Sequence, residues 1–241
     1  MADDGAGLRQ RGVPCGAGRR KICILRTAWY TSFVDHEPTS ISDAIRAAAA
    51  SDRLLRAEDL NVPAWSMSRL ADEGVVDRVV PGVYVGATCP KHGLIDAAGW
   101  TLRYPSSVAC LLTAAVHHRL VDAFSRGTWL FVPKGTTVPR SRNVALNIVQ
   151  ITPRFIDPEQ DKENGILSLE VHGVRLRLTN PDRTVIDLWK YPRRVSSEHA
   201  LTALRRRVDA PDFQLPVFAR LGRRLGAWSQ LEQVVQGMMV R

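Results

Sequence analysis

The stretch that most restricts the fold is RLADEGVVDRVVPGVYVG, Arg69 to Gly86. Just before the glycine, WSMSRLADEG places Met67, Leu70 and Ala71 on one helical face, with Ser68, Arg69 and Asp72 on the other. Ser66 is a candidate N-cap, and Gly74 supplies a left-handed C-terminal stop. Beyond it, VVDRVV and VYVG flank Pro81-Gly82 and predict two β-strands about a tight turn. Pro followed by Gly fits a type II turn, whose twist suits a hairpin poorly, so the tip is expected to be looser than two residues.

A helix stopped so abruptly is short and needs partners upstream. TSISDAIRAAAASDRLL offers Thr39 and Ser40 as N-caps and sets Ile41, Ala44, Ile45 and Ala48 at helical spacing. RAEDLN predicts one or two further turns before Asn61 and Pro63 end them. Three short helices followed by a hairpin is the order of a winged helix-turn-helix.

In such a module the second helix of the turn enters the major groove by its N-terminal end. Here that end offers Trp65, Ser66, Ser68 and Arg69, while Asp72 and Glu73 sit at the far end, where phosphate would repel them. Arg78 on the hairpin, with Arg53 and Arg56 ahead of the helix, are candidate phosphate contacts. The chain has a net charge of +9, which favours an anionic partner. Residues 39–92 are nevertheless near neutral, with six Lys/Arg against seven Asp/Glu. A module that makes protein contacts, with Arg69 merely solvated, is therefore the alternative.

The whole chain reads as α+β, with a winged helix-turn-helix over residues 39–90 and a mixed α/β domain over 93–241. Thr128–Pro133 and Ile148–Pro153 are strand-like in their apolar and β-branched content. LSLEVHGVRLRLT alternates on both sides of His172-Gly173, as a half-buried hairpin does. Asn180 caps a helix that has Pro181 at its first position and runs toward Trp189. Helical stretches at Glu198–Val208 and Leu215–Gly237, interrupted near Gly226, complete the domain. Residues 1–38 are Gly- and Arg-rich without apolar periodicity and read as a flexible extension; a basic arm on DNA is the alternative. In that extension ICIL meets Arg26 at once, unlike the apolar run of a secretory signal.

The order of these segments resembles the AbiEi family, the antitoxin and transcriptional regulator of type IV toxin–antitoxin systems. In VVPGVY, Gly82, Val83 and Tyr84 match that family's Arg-Gly-Val-Tyr-like wing motif, and Pro81 stands where its arginine is usual. PSSVACLLTAAVHHRL is similar to the helix that opens the family's second domain, and TWLFVPKG to the strand that follows. LEVHGVRLRLTNPDRTVIDLWKY is similar to its late hairpin and helix. The resemblance spans about residues 39–237. It implies a DNA-binding autorepressor acting on promoter inverted repeats, with an antitoxin domain that antagonises a nucleotidyltransferase-like toxin. Cys15, Cys23, Cys89 and Cys110 form no CxxC pair and no disulfide framework, which fits the cytoplasm, and the chain is expected to be non-enzymatic with no cofactor.

The residues themselves give little support to catalysis or a metal. CPKH, Cys89 to His92, has the gap of half a metal site, but no second pair has ligand spacing. Asp187 and Lys190, three apart on a helix, are expected to form a salt bridge rather than a nuclease centre. Asp182 is expected to stabilise its helix N-terminus. His117 and His118, adjacent on a helix, diverge. No Walker A, Rossmann or G-x-S-x-G pattern occurs, nor the Gly-Ser…Asp-x-Asp signature of nucleotidyltransferases. Arg220, Arg223 and Arg224 are spaced to share a helical face and form a candidate surface for an anionic partner, either operator phosphate or an acidic patch on the toxin. The alternative function is a winged-helix regulator with a ligand-sensing or dimerisation domain and no toxin partner. No membrane partner is expected, since no window approaches the roughly 18 apolar residues of a span.

Overall fold

The computed structural model describes residues 40–122, 127–138 and 145–239, so the N-terminal extension and its cysteines lie outside the described residues. The fold is α+β. Helix α1 (Ile41–Ala49) is capped by Ser40, whose side chain accepts from the Asp43 amide, and it buries Ile45 and Ala49. Residues 57–61 form turns rather than the helix expected there, and Asn61 has a positive φ of 52°. Helix α2 (Ala64–Asp72) follows. Its N-cap is Pro63 and not Ser66, because the helix begins earlier than the serine and turns that side chain inward.

Gly74 ends α2 at φ 74°, and strands β1 (Val76–Val80) and β2 (Val83–Gly86) pair antiparallel. Gly82 takes the positive φ, 81°, that a type II turn requires at its third residue. The loop holds two residues, and the mismatch in twist is absorbed inside β1, where the register shifts between Arg78 and Val80. Leu55 adds a one-residue bridge to Tyr84 on the other edge of β2.

Helix α3 (Ile95–Arg103) comes next, then the short strand β3 (Val108–Ala109) and helix α4 (Leu111–His117). The stretch expected to be one helix from Pro105 is thus a turn, a strand and a helix. Strands β4 (Thr128–Pro133), β5 (Leu146–Ile151), β6 (Ile166–Val171) and β7 (Val174–Thr179) complete a mixed five-stranded sheet in the order β5-β4-β3-β7-β6. Four helices follow: α5 (Pro181–Lys190), α6 (Ser197–Val208), α7 (Leu215–Arg224) and α8 (Trp228–Met239). Asn180 caps α5 by accepting from the Arg183 amide.

Strand alternation divides the core between two faces of the sheet. Trp129 and Phe131 face a cluster with α4 to α8, including Val185, Leu204, Phe218 and Leu231. Leu130, Leu176 and Leu178 face the opposite way and pack with Trp100 of α3 and with Val80, Val83 and Val85 of the first hairpin. A third cluster, containing Ile45, Leu55, Met67, Leu70 and Tyr84, joins α1, α2 and the hairpin. The position read as a domain boundary near residue 90 is therefore bridged by continuous packing. No helix among the described residues is long and apolar enough to cross a membrane.

Candidate nucleic-acid interface

Helix α2 shows its outer face through Trp65, which is 63% exposed, and Arg69, also exposed. Ser68 is half-buried and lies against the hairpin, where its Oγ accepts from Arg78 at 3.3 Å. Arg78 also donates to the Tyr84 hydroxyl at 3.2 Å and stacks over the Tyr84 ring. The guanidinium is thus aimed by the hairpin's own tyrosine while remaining exposed. Ser68 and Arg78 are brought together, while Trp65 and Arg69 lie side by side against Ile41 and Ser42 of α1.

Three other candidates are placed otherwise. Ser66 is only 5% exposed and faces the interior, so it is removed from the surface that could meet DNA. Arg56 is occupied locally, donating to Asp59 at 2.7 and 2.8 Å with Glu58 at 2.5 Å. That pairing holds the Asp59 carboxyl below its usual range. Arg53 lies across Gly173 in the β6–β7 turn, away from α2. Arg69 itself is paired with Glu73 at 2.9 Å, one helical turn on, and Arg46 reaches the same carboxylate at 3.6 Å. The near neutrality of this segment thus takes the form of exposed ion pairs, each worth about 0.2–1 kcal/mol and open to exchange with phosphate.

The second half holds a different arrangement. Arg183 and Asp187 form a sealed pair at 2.6 Å, and Arg183 also donates to the carbonyl of Asn164 at 2.8 Å. Asp187 therefore does not pair with Lys190 as the spacing had implied. Lys190 instead donates to the Leu225 carbonyl at 2.7 Å, and burial lowers its pKa. Asp182 lies in the first turn of α5 as expected, but its carboxylate is also taken by Arg207 at 2.5 Å. Burial pushes the Cys110 thiol well up, which disfavours a thiolate nucleophile, and lifts the Tyr191 hydroxyl to about 12. His118 bonds the Thr179 carbonyl at 2.7 Å, and burial lowers its pKa.

The arginines of α7 part company. Arg224 is anchored to Asn164 at 2.9 Å and to Gln160 at 2.6 Å, and Arg223 stacks over Trp228. Arg220 and Arg224 line a cleft of about 500 Å³ together with Lys162 and Asn180. Glu163 and Asp182 also line it, so it is mixed in charge.

Sequence reasoning missed Arg103, at the end of α3, which donates to the Pro81 carbonyl at the hairpin tip at 3.2 Å. Nothing in the spacing of WTLRYPSS marks it, because the contact joins residues 22 apart.

No protein-family model matches the chain, and no curated protein matches it. The fold is similar to that of the RV2827C protein from Mycobacterium tuberculosis, with a TM-score of 0.57 at 14% sequence identity. The match covers 82% of this chain and 76% of that one.

Proposed function

We propose that this chain is a DNA-binding antitoxin that represses its own operon and antagonises a nucleotidyltransferase-like toxin. In this reading residues 39–90 are a winged helix-turn-helix, with α2 as recognition helix and β1–β2 as wing. The observation that supports it best is the exposure of Trp65 and Arg69 on α2 and of Arg78 on the hairpin, with Arg78 tied to α2 through Ser68 and braced by Tyr84. Trp65 and Arg69 supply an aromatic and a forked donor for base edges, and Arg78 a cation for backbone phosphate. The antitoxin part of the reading rests on the order of sequence motifs from VVPGVY to NPDRTVIDLWKY.

Two measurements test the two parts separately. On a promoter fragment of its own operon, Arg69→Ala should cost about 1–3 kcal/mol while leaving binding to random DNA nearly unchanged. Unchanged affinity on both would refute the docking of α2. Co-expression with a neighbouring nucleotidyltransferase gene should rescue growth. A protein that binds the promoter and never rescues is instead a regulator without a toxin partner, and the cleft beside Arg220 and Arg224 is then the place for a sensed ligand.

A further inference from the structure

Beside the hairpin tip lies a small cleft of about 150 Å³, lined by Arg103, Tyr104, Ser106, Ser107 and Thr136 and walled by Val132 and Pro133. Arg56, Arg69, Arg206 and Arg207 are each engaged by carboxylates, whereas the residues lining this cleft include a guanidinium and no acid. Arg103 is exposed, and one of its nitrogens is fixed on the Pro81 carbonyl at 3.2 Å. That bond leaves most of the guanidinium's five donors unspent.

Ser107 adds a second, independent sign. It is 1% exposed, and its Oγ has no hydrogen-bond partner among the described residues. A buried hydroxyl left without a partner costs free energy, and such a group beside a cation and other hydroxyls calls for a ligand or water. The neighbouring Ser106 hydroxyl is exposed at the mouth. A forked cation with adjacent hydroxyls and no carboxylate matches a phosphate oxygen far better than a cationic or apolar group.

We propose that Arg103, with Ser106 and Ser107, forms a binding site for a backbone phosphate of duplex DNA, adjoining the wing. The site belongs to α3 and the turn after it, so DNA bound by α2 and the hairpin would also be clamped by the second half of the chain. The inference rests on the DNA-binding reading above. It adds an anchor outside the module that reading describes, and it gives the continuous packing of the hairpin on α3 a purpose in recognition.

The test is a salt titration of promoter binding by the full chain and its variants. Removing one phosphate-binding cation should reduce the slope of log affinity against log salt by about 0.9. Arg103→Ala should therefore flatten the slope by about that amount and weaken promoter and random DNA alike. Arg103→Lys should keep most of the slope, and Ser107→Ala should weaken binding with the slope unchanged. If Arg103 only braces the hairpin tip, Arg103→Ala will lose affinity at the parent's slope, which overturns the site while DNA binding stands. An Arg103→Ala protein with parental affinity and slope also overturns it. A parent chain that binds no promoter DNA overturns both the site and the reading beneath it, and thermal melting of each variant shows whether it is folded.

Discussion

Arg183 and Asp187 are the most deeply buried ion pair among the described residues, with side chains 2% and 1% exposed. Removing such charges from water costs several kcal/mol per ion, recovered only when the partners and hydrogen bonds are complete. Here they nearly are, since Arg183 also bonds the Asn164 carbonyl and lies against the Phe131 ring. Arg183→Met should strand a carboxylate that burial already pushes up, at a cost of about 3–5 kcal/mol. A fall in the urea midpoint at constant slope would show it. Arg183→Met with Asp187→Leu should recover most of that stability, and a single variant as stable as the parent would contradict the argument. The pair was half legible. Asp187 has a cation at i−4 and another at i+3, both at helical spacing, and tertiary structure decides between them by giving Lys190 the Leu225 carbonyl.

Elements whose signals are local could be read from the sequence. Helix α5 follows from Asn180 and Pro181, and the β6–β7 hairpin from alternation about His172-Gly173, both of which take positive φ. Helix α3 could not be read. Its N-cap is Leu94 with no side-chain bond, and six of its nine residues are buried, so its polar face narrows to Asp96 and Arg103. It is also interrupted by Gly99, an unfavourable helix residue retained here because β1 presses on it. A Cβ at Gly99 would meet the Val80 side chain at 3.0 Å and that of Val79 at 3.3 Å. Gly99→Leu should overpack this seam and cost about 1–3 kcal/mol. It should also displace the hairpin, so promoter affinity should fall although no residue facing DNA has changed. A variant with parental melting temperature and affinity would show that α3 and the hairpin are not tightly joined.

Composition and periodicity foresaw an α+β molecule but placed a domain boundary near residue 90, where the helix-and-hairpin pattern ends and a second patterned region begins. On that reading a fragment ending near Thr88 folds and binds DNA weakly, and the remainder from about Gly93 keeps any antitoxin activity. The packing leads elsewhere. Residues up to Gly86 own one small cluster around Ile45, Met67 and Tyr84. Their other apolar side, Leu54 with Val80, Val83 and Val85, is completed by Trp100, Leu130, Leu176 and Leu178. The Leu54 amide also donates to the His172 carbonyl at 3.0 Å. Burying a Val or Leu side chain is worth about 1.5–3 kcal/mol, against a total stability of about 5–15 kcal/mol for a typical protein. Exposing four such residues would remove much of that margin from the small N-terminal piece. Residues 40–239 should therefore melt in one cooperative transition. Residues 40–88 alone should melt far lower and over a broad range, and residues 93–239 should expose apolar surface where the hairpin had lain. Mixing the two fragments should restore part of the missing ellipticity, because the face each lacks is supplied by the other. If residues 40–88 melt as cooperatively and at the same temperature as the whole, the hairpin's packing on α3 and the sheet contributes little, and the boundary read from the sequence is the physical one.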